Sequence, residues 1–281
     1  MRYRSSICAT ALATLLGAAL AATPCAAQVV DFGKYPDFKG QWVRTGNPNN
    51  WRELAGPAPL TPEYQKIFED ITADFKLGGE GNWPSAFCIP AGMPAMMSFY
   101  DPAEIIVMPV VTHILISHND DSYRRIYTDG REWPANPEIT FAGYSLGKWI
   151  DEDGDGKYDV LDVETRFLKL PRSYDTSGVP FHKDGQTVIK ERIHLDKANN
   201  NTLIDEITVI DHALTRPWVK IQKATRNPNP RPAWHSDACS ENNTWVRIGG
   251  EPYYLSADGK LMPSKKDQTP PDLQYFKKTQ K

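Results

Sequence analysis

The chain has 281 residues, 40% of them hydrophobic and 24% charged, with 35 acidic side chains against 32 basic ones. That length supports one large domain or two small ones with a sizeable core, and so mild an acidic balance gives no electrostatic reason to expect a nucleic-acid partner. Past the N-terminal run, no apolar stretch approaches the ~20 residues of a helical membrane span, so none is expected.

Residues 1–27 read as a cleavable secretory signal. Arg2 and Arg4 open it, the run from Ile7 to Ala22 is apolar and uncharged, and Pro24 breaks it. The small residues Cys25 and Ala27 then place cleavage before Gln28. Processing leaves 254 residues with a formal charge of −5 instead of −3, and the expected location is periplasmic or secreted. Cys8 and Cys25 leave with the signal, so Cys88 and Cys239 are the mature pair. In an oxidising compartment two cysteines have one intramolecular pairing, and a disulfide between them is expected.

The first strand candidate is Asp37–Arg44, followed by loop through Pro59. Thr61-Pro62 starts one clear helix, with threonine as N-cap and proline in the first turn. Tyr64, Ile67, Phe68, Ile71 and Phe75 recur along it at helical spacing, and Gly78, Gly79 and Gly81 end it. Loop carrying Cys88 runs on through Pro94. Strand candidates follow at 103–108, 111–117, 122–128, 139–149, 159–168, 186–196, 201–210 and 216–225, with a hairpin turn at Lys197–Asn200. Successive short strands with little helix predict an all-β fold, a lipocalin-like antiparallel barrel over residues 28–262 with a surface tail over 263–281.

The sharpest local motif is Asp151 to Asp162. Asp151, Asp153 and Asp155 stand at positions one, three and five of a calcium loop, with Gly156 at six, the Lys157 carbonyl at seven, Asp159 at nine and Asp162 at twelve. Calcium wants several hard oxygens, and alternate carboxylates around a glycine turn gather them about one point. The position-twelve aspartate is shorter than the usual glutamate, and the flanks read as strands instead of EF-hand helices. A structural calcium ion is expected; no organic cofactor is.

Glu191 alternates with Thr187, Ile189, Ile193 and Leu195 on one face of its strand. An acid on an apolar face is desolvated, a condition that general acid/base catalysis exploits, although a structural ion pair with Arg124 or Arg125 is the plainer reading. His113 shares a face with Val111 and Leu115, which would make it an interior histidine. Glu191, Arg125 and His113 are therefore the candidate catalytic residues. The six histidines show no close pairs of the zinc-site kind, and no nucleophile elbow, phosphate loop or dinucleotide fingerprint occurs. Trp42, Tyr123, Trp149 and Trp218 fall in strand candidates and suit either a core or an aromatic-lined pocket.

Arg124-Arg125-Ile126-Tyr127-Thr128-Asp129-Gly130-Arg131 resembles a segment of a functionally uncharacterised family of exported bacterial proteins. Gly143–Trp149, Leu214–Trp218 and Cys239–Asn243 are similar to further segments of that family, and Gly40-Gln41-Trp42 is similar to the Gly-x-Trp of lipocalins. The resemblance implies fold and compartment and transfers no catalytic residue. Three functions stay open: a barrel binding a small, largely apolar or aromatic molecule, a cofactor-independent lyase, isomerase or hydrolase acting on one, and a calcium-stiffened envelope interaction protein.

Overall fold

The computed structural model describes residues 31–45, 54–82, 87–118, 120–170, 173–175, 177–234, 236 and 238–274. The signal segment 1–27 and the end of the chain from 275 lie outside the described residues. Nine strands follow in chain order: β1 Gln41–Arg44, β2 Ala103–Val107, β3 Val111–His118, β4 Asp120–Tyr127, β5 Tyr144–Ile150, β6 Val160–Arg166, β7 Val188–Asp196, β8 Asn199–Ile210 and β9 Trp218–Arg226. They form a closed barrel, with β1 bridging β2 through Gln41 and Trp42 and β9 through Trp42 to Arg44. The all-β barrel expected from the sequence is present, and every strand candidate from 103 to 225 has its counterpart.

One pairing departs from a wholly antiparallel barrel. β4 and β5 run parallel, with Ile126 opposite Ser145 and Tyr127 opposite Leu146. Parallel neighbours cannot be joined by a tight hairpin, so residues 128–143 form a long crossover. Gly147 answers a steric demand beside it. A Cβ there would lie 2.6 Å from Cγ2 of Ile126, too close to be tolerated.

Alternation along the strands sends Ile114, Ile126, Val163, Ile189, Ile193, Leu203 and Ile207 into the barrel. Trp42 and Trp218, each 1% exposed or less, join them in one core. Trp42 is fixed by its indole N–H, which donates to the Phe38 carbonyl at 2.9 Å, and by the Arg226 guanidinium stacked 4.5 Å from its ring. The segment Met93–Phe99, built around a 3-10 turn at Ala95–Ser98, is buried throughout its apolar positions. It reaches the interior, because Ser98 Oγ accepts a bond from Lys220 on the inner face of β9.

The helix α1, Pro62–Lys76, is capped by Thr61, whose hydroxyl accepts the Tyr64 N–H. Its apolar face is only partly covered: Tyr64 is buried, whereas Ile67 and Phe75 are exposed. Cys88 and Cys239 form the expected disulfide, tying the segment before the 3-10 turn to the short helix α2, Cys239–Asn242. The barrel strands end at Arg226. A separate antiparallel sheet follows, of β10 Trp245–Ile248, β11 Glu251–Leu255 and β12 Leu261–Pro263. The tail from 263, as far as it is described, is anchored at the surface. The Lys266 N–H donates to the Leu77 carbonyl at the end of α1, Lys265 pairs with Asp74 at 2.9 Å, and Asp272 on the last short helix, α3 (Pro271–Gln274), accepts the Leu261 N–H.

Candidate functional site

Glu191 is where its alternation predicted, inside the barrel, but it is not alone. Arg124 donates from Nη1 to Oε1 at 2.8 Å and from Nη2 to Oε2 at 2.5 Å, and neither side chain is more than 1% exposed. The same guanidinium donates from Nε to Ser145 Oγ at 3.2 Å and from Nη2 to Thr165 Oγ1 at 2.8 Å. Two strand hydroxyls and one carboxylate thus satisfy a buried cation with the bidentate geometry that favours such pairs. The ion-pair reading of Glu191 is what the structure contains, with Arg124 as partner.

A second buried acid lies close by. Asp205 on β8 faces inward opposite Ile193, two residue pairs along the β7–β8 ladder from Glu191. Among the described residues, no donor reaches either of its oxygens. Burial, then the negative charge of Glu191, hold its pKa well above the usual carboxylate range against the pull of Arg124 and Lys220. Lys220, also on the inner face, is pushed down to about 8 by burial. Lys220 was missed because the β9 pattern is inverted, whereas Asp205 obeys the same alternation as Glu191. Lys220 and Gln222 point in, while the apolar Val219 and Ile221 are 49% and 51% exposed.

The other two candidate catalytic residues are elsewhere. Arg125 and His113 sit opposite each other on the outer face of β4 and β3. The interior position expected for His113 is therefore not the one it takes, since Thr112 and Ile114 occupy the inward positions on either side. The barrel wall separates Glu191 from both residues, so the three do not assemble into one acid/base site.

Arg125 instead lines a groove of about 510 Å³ between the outside of β4 and the crossover. Tyr123, Tyr127, Phe141, Tyr144 and Met96 supply most of its apolar wall, and Glu138 adds a carboxylate. Tyr127 and Tyr144 lie 5.0 Å apart, and Arg131 stacks 3.9 Å from the Tyr127 ring, so that wall is braced from behind. The barrel axis, where a ligand was expected, is filled by side chains such as Trp42, Met97, Phe99, Ile114 and Trp218.

The acidic motif forms the exposed tip between β5 and β6. Asp151 folds it, accepting the Gly154 N–H at 2.7 Å and the Gly156 N–H at 2.9 Å, while Asp159 accepts the Glu152 N–H at 2.8 Å. Asp153 accepts the Asp155 N–H and Asp155 the Lys157 N–H. Carboxylate oxygens of Asp151, Asp153 and Asp159 lie within 4.8 Å of one another. Asp155 is outside that trio, and Asp162 is on β6, facing Arg192 at 3.5 Å. Half of the expected ligand set converges.

A trio that the sequence reading did not find is His182, Asp184 and His212. The histidines are 30 positions apart, but the β7–β8 hairpin pairs Val188 with Ile210, which makes the loops just beyond them neighbours. The turn at Lys197–Asn200, read as the centre of a hairpin, carried that signal. Among the described residues no helix is long and apolar enough to cross a membrane. Compared with protein-family models, curated proteins and solved structures, the chain gives no significant match.

Proposed function

We propose that this protein is an exported barrel that binds a small aromatic or largely apolar molecule in the groove between β4 and the crossover. The observation that carries the reading is the groove itself: about 510 Å³ walled by Tyr123, Tyr127, Phe141 and Tyr144. That volume is within the range typical of small-molecule sites, which are mostly apolar with a few placed polar groups. Arg125 is the placed group. Its guanidinium has no ion pair or hydrogen bond among the described residues, so it is available to an anionic or hydrogen-bonding substituent. The disulfide supports the exported setting, and the resemblance to exported proteins agrees with it.

Titration of the mature protein with a panel of small aromatic carboxylates, followed by calorimetry, tests the reading. At least one should bind saturably, and both Arg125→Ala and Tyr123→Ala should weaken it about tenfold. Both side chains are exposed, so the fold should survive either change. Absence of binding across the panel, or affinity indifferent to both changes, would overturn it. The acidic tip is read as a structural calcium site, with Asp151, Asp153 and Asp159 as the converging ligands; it stiffens the β5–β6 turn and takes no part in chemistry.

A further inference from the structure

The open end of the β7–β8 hairpin carries the trio His182, Asp184 and His212. One oxygen of Asp184, Oδ2, lies 3.0 Å from Nδ1 of His182 and 2.6 Å from Nδ1 of His212. The three donor atoms are all within 4.8 Å of one another. Ligands bonded to one zinc-sized cation at about 2.0–2.2 Å stand roughly 3–4 Å apart, so the 3.0 Å contact already fits and the 2.6 Å one, a hydrogen bond here, would lengthen by about half an ångström around an ion.

The hydrogen bonding around His182 points to the missing partner. The backbone N–H of Asp184 donates to His182 Nδ1 at 3.2 Å. That bond needs a lone pair on Nδ1, so the proton of a neutral ring is on Nε2. The same lone pair then faces Asp184 Oδ2, also an acceptor, at 3.0 Å. Two acceptors at that distance repel unless a cation lies between them. One cation between them, a proton on Nδ1 or a metal ion offset toward His212, relieves this contact by taking the Nδ1 lone pair from the Asp184 N–H, and the metal ion also engages His212.

The loops are also braced as a metal site's surroundings usually are. Oδ1 of the buried Asp211 accepts the His182 N–H at 3.0 Å and the Ala213 N–H at 2.8 Å, so one carboxylate pins both histidine-bearing loops. Its other oxygen accepts from Thr187. The Tyr64 ring packs 5.0 Å from that of His182, and its hydroxyl accepts the Lys183 N–H at 3.1 Å. Asp184 is oriented by the Gln186 N–H at 3.0 Å.

We infer that His182, Asp184 and His212 bind one divalent transition-metal cation, with a coordination position left open on the solvent side of His212. Two imidazoles and a carboxylate suit zinc, iron, nickel or copper and are poor ligands for calcium, which takes oxygens. The acidic tip and this trio are therefore separate sites with different preferences. Imidazole must be unprotonated to bind, so affinity should fall as pH drops through the histidine range.

The test uses the mature chain without a histidine tag, treated with chelator, dialysed and titrated with zinc chloride in a calorimeter. One zinc per chain should bind, and both His212→Ala and Asp184→Asn should weaken it at least 100-fold. Asp153→Ala in the acidic tip should leave it within threefold. Cobalt should give visible absorption bands that disappear in His212→Ala, a readout that a merely structural histidine would not move. His212 is exposed, so the variant should keep the wild-type metal-free melting temperature. Lack of saturable zinc binding, binding unchanged by His212→Ala, or binding lost in Asp153→Ala would overturn the assignment.

Discussion

Replacing Glu191 by Gln keeps the side chain's shape and removes its charge. Arg124 would retain Ser145 and Thr165 but lose the anion now bound at 2.8 and 2.5 Å. Both members of the pair are at most 1% exposed, so water does not substitute for the lost carboxylate. Stranding one member of a buried pair costs about 3–5 kcal/mol. The lower end is expected here, because Asp205 is close enough to ionise in place of Glu191. For a chain of this size, a loss of about 3 kcal/mol is a fall of roughly 6–12 °C in Tm. Urea unfolding at pH 7 should show the midpoint shift with an unchanged slope. Adding Arg124→Met removes the stranded charge, and Ser145 and Thr165 already bond each other at 2.8 Å. The double variant should therefore be more stable than Glu191→Gln alone. A Glu191→Gln midpoint equal to wild type, or a double variant weaker than the single one, would refute the reasoning.

Asp205→Asn should stabilise the protein at neutral pH. The raised folded-state pKa means that the folded protein holds a proton which the unfolded chain releases above about 3.8, so the contribution of Asp205 to stability is most favourable below that pH and falls as pH rises. Relative to Asp205→Asn the fall is up to about 1.4 kcal/mol per pH unit until Asp205 ionises in the fold, and parallel pH–stability curves for the two proteins would contradict it. At the acidic tip, chelation of calcium should lower the melting temperature of wild type and leave Asp153→Ala unmoved; identical wild-type curves with and without calcium would reduce the tip to a solvated turn.

The barrel strands were legible because most are half-buried, and half-burial writes itself as period-two alternation, as in Ile189, Glu191 and Ile193. The same rule placed Glu191 inward and would have placed Asp205 there too, between Leu203 and Ile207. It failed for β9, where Val219 and Ile221 face outward and Lys220 and Gln222 face a polar interior. Alternation reveals that two faces exist; tertiary packing decides which one is the inside. His113 went wrong for the same reason. The segment Met93–Phe99 has no periodicity to read, since a short irregular stretch buried on every side carries no pattern. The histidine trio depends on a pairing between residues 30 positions apart, and only a hairpin drawn in full register brings it together.

The single parallel pair has a consequence of parity. Around a closed ring, strand directions can alternate without interruption only if their number is even. With nine strands, at least one adjacent pair must point the same way; here that pair is β4 and β5, consecutive in sequence, so the chain returns before it can continue. That return is the 128–143 segment, and the aromatic groove is the space it encloses against β4. An eight- or ten-stranded relative could close with hairpins alone and would have no such overpass. The position of this groove thus follows from which pair of strands is the parallel one, and the residues lining it could change freely without moving it.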